Sequence, residues 1–197
     1  MKTSGADDIA GALGRGEVVG IPTDTVYGIA ADPHNRIAVG RLFAIKGRAD
    51  SKPVGLLVSE LDSALEVVAL PGYALEWARS FWPGPLNLVG IARSVLPDGV
   101  GDPSRGTVGV RVPDHPTARA ILTAFGPLVV TSANESGGPE TLDEVEARAA
   151  LGDLVDLYVA GRCPGAVSST TVDVTGPTPV LLRKGPLDLG LGVESDA

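Results

Sequence analysis

The heptapeptide PTDTVYG at residues 22–28 decides the fold of this chain. The run Val18–Ile21 just before it contains three β-branched residues, which is typical of a short buried strand. Pro22 has no N–H to donate, so the strand cannot continue in a central ladder. Gly28 permits a tight turn or a close backbone approach before the apolar run that begins at Ile29, and Val26–Ala31 is predicted as a second strand. The polar side chains between the two strands stand at a rigid strand end, where open α/β sheets bind ligands. The alternative is a plain turn between two strands.

Length and composition indicate a single globular domain with an aliphatic core. The chain has 197 residues, of which 44% are hydrophobic and 20% charged, and these proportions exclude a disordered chain. Only 4% of the residues are aromatic, so Val, Leu, Ile and Ala must fill the interior. The formal net charge of −8 argues against broad, sequence-independent binding of nucleic acid, which depends on a basic face. A local basic pocket for a small anion is compatible with this charge.

Three features favour the cytoplasm and argue against a membrane partner. No run approaches the roughly 18 apolar residues that a membrane span needs. The first residues, MKTSGADDIAGAL, lack the apolar segment of a signal peptide. The single cysteine, Cys163, excludes an internal disulfide, which fits a reducing compartment. A reactive thiol would need a depressed pKa and a partner, and with Arg162 and Pro164 as neighbours we interpret Cys163 as incidental.

The order of apolar runs and turn residues predicts seven to nine strands and five or six helices. Asn35 is a good N-cap for a helix over Arg36–Ile45, and Thr141–Ala150 is predicted as a helix capped by Thr141. Proline, glycine and aspartate mark Ser94–Gly106 as a long loop. Short runs predict strands over Val54–Val58, Leu86–Ala92, Thr107–Val112, Leu128–Val130 and Val167–Val174, and a helix over Leu61–Val68. Because strands and helices do not alternate strictly, we predict a single α/β domain on a mixed sheet.

Polar and cationic side chains recur at the ends of the predicted strands. Lys46, Arg48 and Lys52 add three positive charges in the loop after the second predicted helix. Cations around a cleft lined by hydroxyls suit a ligand with phosphates and a carboxylate, because guanidinium binds such groups in a bidentate fork. Taken singly, each residue is as well explained as a surface side chain. The strand-end residues are Thr23, Thr25, Thr107, Arg111, Thr131, Ser132, Asn134, Ser169, Thr170 and Arg183.

Other chemistries find little support in the sequence. It contains no Walker phosphate-binding motif, no G-x-S-x-G nucleophile elbow and no GxGxxG after a strand. His34, His115 and Cys163 are too few for a usual zinc site without carboxylates. We interpret His115, in the segment PDHP, as part of a helix start rather than as a base. Asp24 is a candidate carboxylate base, and a local bond to its neighbour Thr25 is the alternative.

The chain resembles the YrdC-like family in a series of segments that occur in the family's order. Together they cover the chain from about residue 8 to residue 187, and the joint match is specific although each segment alone is weak. The segments are PTDTVYG at 22–28, KGR at 46–48 with Lys52 and Pro53 after it, WPGP at 82–85, VGVRVPDHP at 108–116, TSANESG at 131–137, SSTTVD at 168–173 and LLRKG at 181–185.

The resemblance implies the activity of the family's characterised members, the threonylcarbamoyl-adenylate synthases. These enzymes use L-threonine, bicarbonate and ATP, release pyrophosphate, and supply the intermediate for threonylcarbamoyl-adenosine in tRNA. It also implies a twisted open mixed sheet with helices around it and a positively charged central cavity. Residues 1–190 would form the YrdC-like domain and residues 191–197 a flexible tail. Mg²⁺ is the expected companion of ATP, and a tRNA threonylcarbamoyl transferase complex is the expected downstream partner.

Matching positions carry the family's functional residues into this sequence. The resemblance implies that L-threonine is held by Thr25, Arg111, Ser132 and Ser169. It implies that ATP is bound by Arg48, Lys52, Thr107, Asn134 and Arg183, with Lys46 and Arg48 as catalytic cations. The chain departs from the family pattern in having no histidine within Val54–Val58, Lys52 in place of a common asparagine, and Asn87 in place of a threonine.

Two alternatives stay open. A family member could make a different carbamoyl-adenylate, since the fold does not fix the substrate. The concave basic surface of family members can also accept RNA, so a module that binds tRNA or double-stranded RNA is the alternative from another class. The net charge of −8 weighs against that module, because phosphate binding depends on cations.

Overall fold

The structure, a computed structural model, describes residues 5–47 and 53–191. The helices in these ranges are α1 (Ala6–Gly14), α2 (Arg36–Ile45), α3 (Leu61–Val67), α4 (Gly72–Phe81), α5 (Pro116–Phe125) and α6 (Glu144–Leu151), with a 3₁₀ helix at Gly152–Leu154. The strands are β1 (Val19–Ile21), β2 (Gly28–Ala31), β3 (Leu56–Leu57), β4 (Val68–Ala69), β5 (Leu86–Ala92), β6 (Thr107–Arg111), β7 (Leu128–Ser132), β8 (Leu157–Tyr158), β9 (Thr170–Asp173) and β10 (Val180–Arg183).

All of these strands belong to one 10-stranded sheet, which confirms the prediction of a single mixed sheet. Its order is β10-β9-β5-β6-β3-β7-β2-β1-β8, and β4 pairs with β5. The pairs β1/β8, β3/β6 and β5/β9 are parallel, and the remaining pairs are antiparallel. Ile21 lies opposite Gly28 in the antiparallel pair β1/β2. The polar turn between them therefore joins two neighbouring strands inside the sheet.

The cap of α2 is confirmed, whereas the predicted start of α6 is wrong. The side-chain oxygen of Asn35 accepts hydrogen bonds from the backbone N–H groups of Ile37 and Ala38, both at 3.1 Å. Helix α6 begins three residues later than predicted, because Asp143 accepts from the first-turn N–H groups and caps it. The hydroxyl of Thr141 instead donates to the carbonyl of Ala133 at 3.0 Å, a partner distant in sequence.

Several strands are shorter than their apolar runs. β3 comprises only Leu56–Leu57 of the predicted Val54–Val58, and β9 only Thr170–Asp173 of the predicted Val167–Val174. β4 was not predicted, because a strand of two residues shows no alternation along the sequence. Pairing with neighbours, rather than residue propensity, sets these limits.

The core is aliphatic, as the low aromatic content predicts. The larger cluster of buried side chains includes Leu88 of β5 and Val110 of β6. A second cluster joins Leu13 of α1 and Ile121 of α5 to Ile21 of β1. Burial of these side chains, at about 25 cal/mol per Å² of apolar surface, holds the helices against the sheet.

The segment after β10 also contacts the core. Leu187, Leu189 and Leu191 pack, partly buried, against the larger cluster. Residues 192–197 of the predicted tail lie outside the described part of the chain, and the division at residue 190 stays a prediction. Among the helices in the described ranges, none has the length and apolar content needed to cross a membrane.

Candidate active site

A cavity of about 370 Å³ lies on the sheet, and its walls come from consecutive strands between β10 and β2. On β6, Thr107, Gly109 and Arg111 line this cavity, whereas Val108 and Val110 are buried in the larger core cluster. Successive side chains of a strand point to opposite faces, so one face of β6 serves the core and the other the cavity. The positive charge that was predicted for such a cavity stays a prediction.

Glycines keep the floor of the cavity open. A Cβ atom at Gly28 would lie 2.8 Å from a methyl group of Val130, and one at Gly55 would lie 2.7 Å from the carbonyl oxygen of Gly109. A Cβ atom at Gly109 would lie 2.9 Å from the amide nitrogen of Asn87. These separations are closer than side chains tolerate, so the floor is built from bare backbone.

The structure brings together most of the residues that the sequence singled out. The residues singled out from the sequence that line the cavity are Thr23, Thr25, Thr107, Arg111, Thr131, Ser132, Ser169 and Arg183, whereas Thr170 is not among the lining residues. They come from the turn after β1 and from the ends of β6, β7, β9 and β10, which are far apart in the sequence. The polar strand ends therefore converge, and the plain-turn alternative for residues 22–28 loses its support.

Arg111 is the most tightly held of these residues. Its Nε donates to the carbonyl of Gly84 at 3.0 Å, its Nη1 donates to the hydroxyl of Thr25 at 2.9 Å, and its Nη2 donates to the carboxylate of Asp24. The side chains of Arg111 and Asp24 are 7% and 9% exposed. A planar guanidinium anchored through all three nitrogens has both its position and its plane fixed.

Arg111 and Arg183 both line this cavity, as does Arg105. Burial lowers the pKa of Arg111, and the charge of Asp24 opposes that effect, while the charge of Arg183 lowers the pKa further. Arginine stays protonated in proteins, so Arg111 and Arg183 are two cations close enough to repel each other. Arg183 is held by Ser169, whose carbonyl accepts from Nε at 2.9 Å and whose hydroxyl accepts from Nη2 at 3.0 Å. An anion between the two cations would relieve their repulsion.

The hydrogen-bond partners in the turn after β1 determine which hydroxyl of Thr23 and Thr25 donates to the other. Thr23 gives its single hydroxyl hydrogen to the carbonyl of Val26 at 2.7 Å. In the 3.1 Å contact between the hydroxyls of Thr23 and Thr25, Thr25 must therefore be the donor. Because its hydrogen is committed, the Thr25 hydroxyl can act toward a ligand only as an acceptor, and it already accepts from Arg111.

Lys46 and Asn134 lie behind the cavity wall instead of on it. The Lys46 ammonium donates to the carbonyl of Ser132 at 2.8 Å, to the side-chain oxygen of Asn134 at 2.8 Å, and to the Asn134 carbonyl. The hydroxyl of Ser132 donates to the same Asn134 oxygen at 2.6 Å. Both residues thus hold the end of β7, and their predicted contact with ATP stays a prediction.

Arg48 and Lys52 lie outside the described residues, so their predicted roles also stay predictions. The two residues that flank the gap are Gly47, at the end of α2, and Pro53, which lines the cavity.

Sequence reasoning missed several lining residues. Asn87 of β5 lies directly opposite Thr171 of β9 in parallel register, and both line the cavity. Alternation along β5 was the available signal, since Asn87 shares a face with Val89. Asp102 and Arg105 also line the cavity, although their segment was predicted only as a loop.

Cys163 has no part in chemistry at this site. It is buried, and burial raises the pKa of its thiol to about 11. A nucleophilic cysteine needs a lowered pKa, so the interpretation of Cys163 as incidental agrees with the structure. Its sulfur accepts a hydrogen bond from the backbone N–H of Thr23 at 3.3 Å, which helps to hold the turn.

Comparison with known proteins identifies the family of the chain. The family model described as "Telomere recombination", which covers Sua5, YciO and YrdC proteins, matches residues 11–185. A Mycobacterium tuberculosis protein provisionally named threonylcarbamoyl-AMP synthase is 43% identical over 189 residues, which cover 95% of this chain and 87% of that protein. The threonylcarbamoyl-AMP synthase of Halorhodospira halophila is 38% identical over 165 residues, 83% of this chain and 86% of that enzyme.

Solved structures share the fold. The crystal structure of Pyrococcus abyssi Sua5 complexed with L-threonine matches with a TM-score of 0.85 and 34% sequence identity. The match covers 94% of this chain and 55% of the Sua5 chain, so this chain spans about half of that protein's length. With a family model matched over most of its length and relatives of this similarity, the chain belongs to the Sua5/YciO/YrdC family.

Proposed function

We propose that this chain is an L-threonylcarbamoyladenylate synthase, a nucleotidyltransferase that condenses L-threonine, bicarbonate or CO₂, and ATP into threonylcarbamoyl-AMP and pyrophosphate. The observation that carries this proposal is the convergence of Arg111, Thr25 and Arg183 on one cavity whose floor is bare backbone. The site thus offers cations for a carboxylate and phosphates, next to an acceptor for an amine. The names of the relatives and the L-threonine bound to Sua5 support the same assignment.

The amino-acid end of the site is formed by Arg111 and Thr25. The substrate carboxylate would accept hydrogen bonds from the guanidinium of Arg111, a charge-assisted interaction. The hydroxyl of Thr25, which has no hydrogen to offer, would accept an N–H of the substrate amine. An acceptor at this position orients the amine without occupying its lone pair, which must attack the carbon of CO₂. With CO₂, the C–N bond forms and one amine proton passes to solvent, which gives the carbamate. With bicarbonate, a C–O bond breaks and the departing hydroxide takes that proton and leaves as water.

Arg183 and Thr107, both in the cavity lining, would form the phosphate end, and Ser169, predicted to hold L-threonine, is hydrogen-bonded to Arg183. A carbamate oxygen would attack the α-phosphorus of ATP in line, the bond to the bridging oxygen would break, and pyrophosphate would leave with the electron pair. Such a transfer needs little covalent participation by the protein. It needs reactants held in line and positive charge where negative charge develops, which accounts for the absence of a conventional catalytic triad from the sequence.

Mg²⁺ would neutralise charge on the ATP phosphates. Among the residues that the structure describes, no group of three or more His, Cys, Asp or Glu side chains is placed to hold a metal. Asp102 supplies the one carboxylate among the described lining residues, and its Oδ1 already accepts from the N–H and the hydroxyl of Ser104. This donor set fits a metal held largely by phosphates and water.

The product is a mixed anhydride of a carbamic acid and AMP, an activated acyl donor. We propose that it passes to a tRNA threonylcarbamoyl transferase in the cytoplasm. The single buried cysteine is consistent with that compartment.

The test is product formation from the named substrates. Purified protein is mixed with ATP, labelled bicarbonate and L-threonine, and both pyrophosphate and the labelled anhydride are measured. Omission of L-threonine should abolish both products, and pyrophosphate release that ignores L-threonine would refute the proposal. Stoichiometric turnover of another amine in place of L-threonine would identify a different carbamoyl-adenylate.

Arg111→Gln provides the site-specific test. Loss of the Arg111 guanidinium should lower kcat/KM by about 10²–10³-fold, the effect of removing a key charge-stabilising donor. Arg41→Gln is the matched control, because Arg41 also pairs with an aspartate, Asp156, but lies outside the cavity lining. Equal losses in the two variants would show that the cavity is not the active site.

A further inference from the structure

Asp24 stands behind the cavity wall, in the middle of the PTDTVYG turn. Its carboxylate is 9% exposed, forms an ion pair with Arg111, and is not among the described residues that line the cavity. A group in this place does not touch a ligand in the cavity. Any effect that it has on the reaction must pass through Arg111.

The carboxylate of Asp24 is only half satisfied. Its Oδ1 accepts from Arg111, whereas its buried Oδ2 has no hydrogen-bond partner among the described residues. The buried Nδ1 of His115 likewise has none, and the charge of Asp24 acts on this imidazole, partly opposing the effect of burial on its pKa. A buried carboxylate with one unsatisfied oxygen is costly, so stability alone does not account for an aspartate here.

Asp24 helps to fix the orientation of the Arg111 guanidinium, which lines the cavity. Gly84 and Thr25 hold Nε and Nη1 of Arg111, and Asp24 holds Nη2. Without the third anchor the guanidinium can rotate about the other two. The negative charge of Asp24 also stabilises the buried positive charge of Arg111, whereas the positive charge of Arg183 destabilises it. Both effects favour one orientation of a charged Arg111.

We propose that Asp24 is a positioning residue, which orients the guanidinium of Arg111 so that its remaining N–H groups meet the carboxylate of the amino-acid substrate. The inference rests on the proposed role of Arg111 as the anchor of that carboxylate. Asp24 neither contacts the substrate nor moves a proton.

The main test is Asp24→Asn, which keeps the size but replaces the charge-assisted bond to Nη2 with a weaker bond to a neutral amide oxygen. We expect KM for L-threonine to rise by about 10–100-fold, since a misplacement of about 1 Å can cost 10²-fold, while KM for ATP changes by less than about 3-fold. Asp156→Asn is the matched control, because Asp156 also pairs with an arginine, Arg41, and should leave both KM values unchanged. An unchanged or lower KM for L-threonine in Asp24→Asn would overturn the proposal.

A double-mutant cycle separates positioning from a general loss of structure. In an Arg111→Gln background, Asp24→Asn should lower kcat/KM by less than about 2-fold, because the residue through which Asp24 acts is gone. Losses that multiply would show that Asp24 acts independently of Arg111 and would overturn the proposal.

Calorimetric titration with L-threonine distinguishes failure of this inference from failure of the proposed function. Wild-type protein that binds L-threonine but makes no anhydride would refute the synthase proposal, and the effect of Asp24→Asn on Kd would still test positioning. L-Threoninamide, which lacks the carboxylate, should bind equally weakly to wild type and Asp24→Asn. Absence of L-threonine binding to wild type would overturn both.

Discussion

Replacing Lys46 by methionine tests whether this buried cation holds the end of β7 or serves only in catalysis. Lys46 is 2% exposed, and its ammonium donates to two carbonyl oxygens and one amide oxygen on Ser132 and Asn134. Methionine has a similar length but no donor, so the carbonyls of Ser132 and Asn134 lose this partner, while the Asn134 side-chain oxygen keeps the hydroxyl of Ser132. The perturbation is therefore electrostatic and not a change of volume.

The expected cost can be worked from these contacts. An acceptor left unsatisfied in the interior costs about 1–3 kcal/mol, and such losses are not fully additive within one network. We expect Lys46→Met to lower the free energy of unfolding by about 3–5 kcal/mol, out of a total of about 5–15 kcal/mol for a domain. With a urea m-value of about 2–3 kcal/mol/M, the unfolding midpoint should fall by about 1–2 M.

Urea unfolding followed by circular dichroism measures this shift, and threonine-dependent pyrophosphate release measures activity in parallel. Lys184→Met is the control, because Lys184 is an exposed lysine, and its midpoint should change by no more than about 0.2–0.3 M. We expect Lys46→Met to lose activity as well, because Ser132 lines the cavity. Lost activity with an unchanged midpoint would refute the structural role and leave Lys46 as a catalytic cation.

Three further predictions follow from the floor, the core and the edge of the fold. Gly55→Ala places a Cβ atom 2.7 Å from the Gly109 carbonyl and should destabilise the protein by about 1–3 kcal/mol, with lower activity. Gly40→Ala, in an open part of α2, should instead be neutral or stabilising by up to about 1 kcal/mol, and an equal loss in both would contradict the clash. Cys163 is buried and the pKa of its thiol is raised to about 11, so it should resist iodoacetamide at pH 8 until urea unfolds the chain. Mass spectrometry measures the alkylation, and rapid alkylation of Cys163 in the native protein would contradict this prediction. Hydrogen bonds from Arg41 lower the pKa of Asp156 below its ordinary value, so the stabilisation that it provides is present above the pKa of the unfolded chain and is lost as the pH falls through the lowered pKa. In a plot of the urea unfolding midpoint against pH, Asp156→Asn should therefore reduce the slope in the acid range. An unchanged slope would exclude a link between Asp156 ionisation and stability.

Several features of the protein were determined by local sequence alone. The mixed sheet, the aliphatic core and the helix from Arg36 capped by Asn35 follow from periodicity, composition and capping, which act over a few residues. The polar strand ends could also be read locally, because an apolar run that stops at Thr, Ser or Arg marks both a strand and its exposed end. The segments that resemble the YrdC-like family, in the family's order, predicted the reaction.

Other features depended on partners that are distant in the sequence. Asp143 rather than Thr141 caps α6, since the hydroxyl of Thr141 is bonded to Ala133, and β4 forms only because β5 lies beside it. Local propensity contains no information about such neighbours.

The site itself was decided by tertiary structure. The sequence named Arg111 and Thr25, but only the fold places Asp24 and Gly84 against the same guanidinium and commits the hydrogen of Thr25 to Thr23. The fold likewise turned Lys46 inward, toward the end of β7. Residue type determines which hydrogen bonds a side chain can make. Which bonds it does make, and hence which face it offers to a ligand, depends on the strands that the sheet brings beside it.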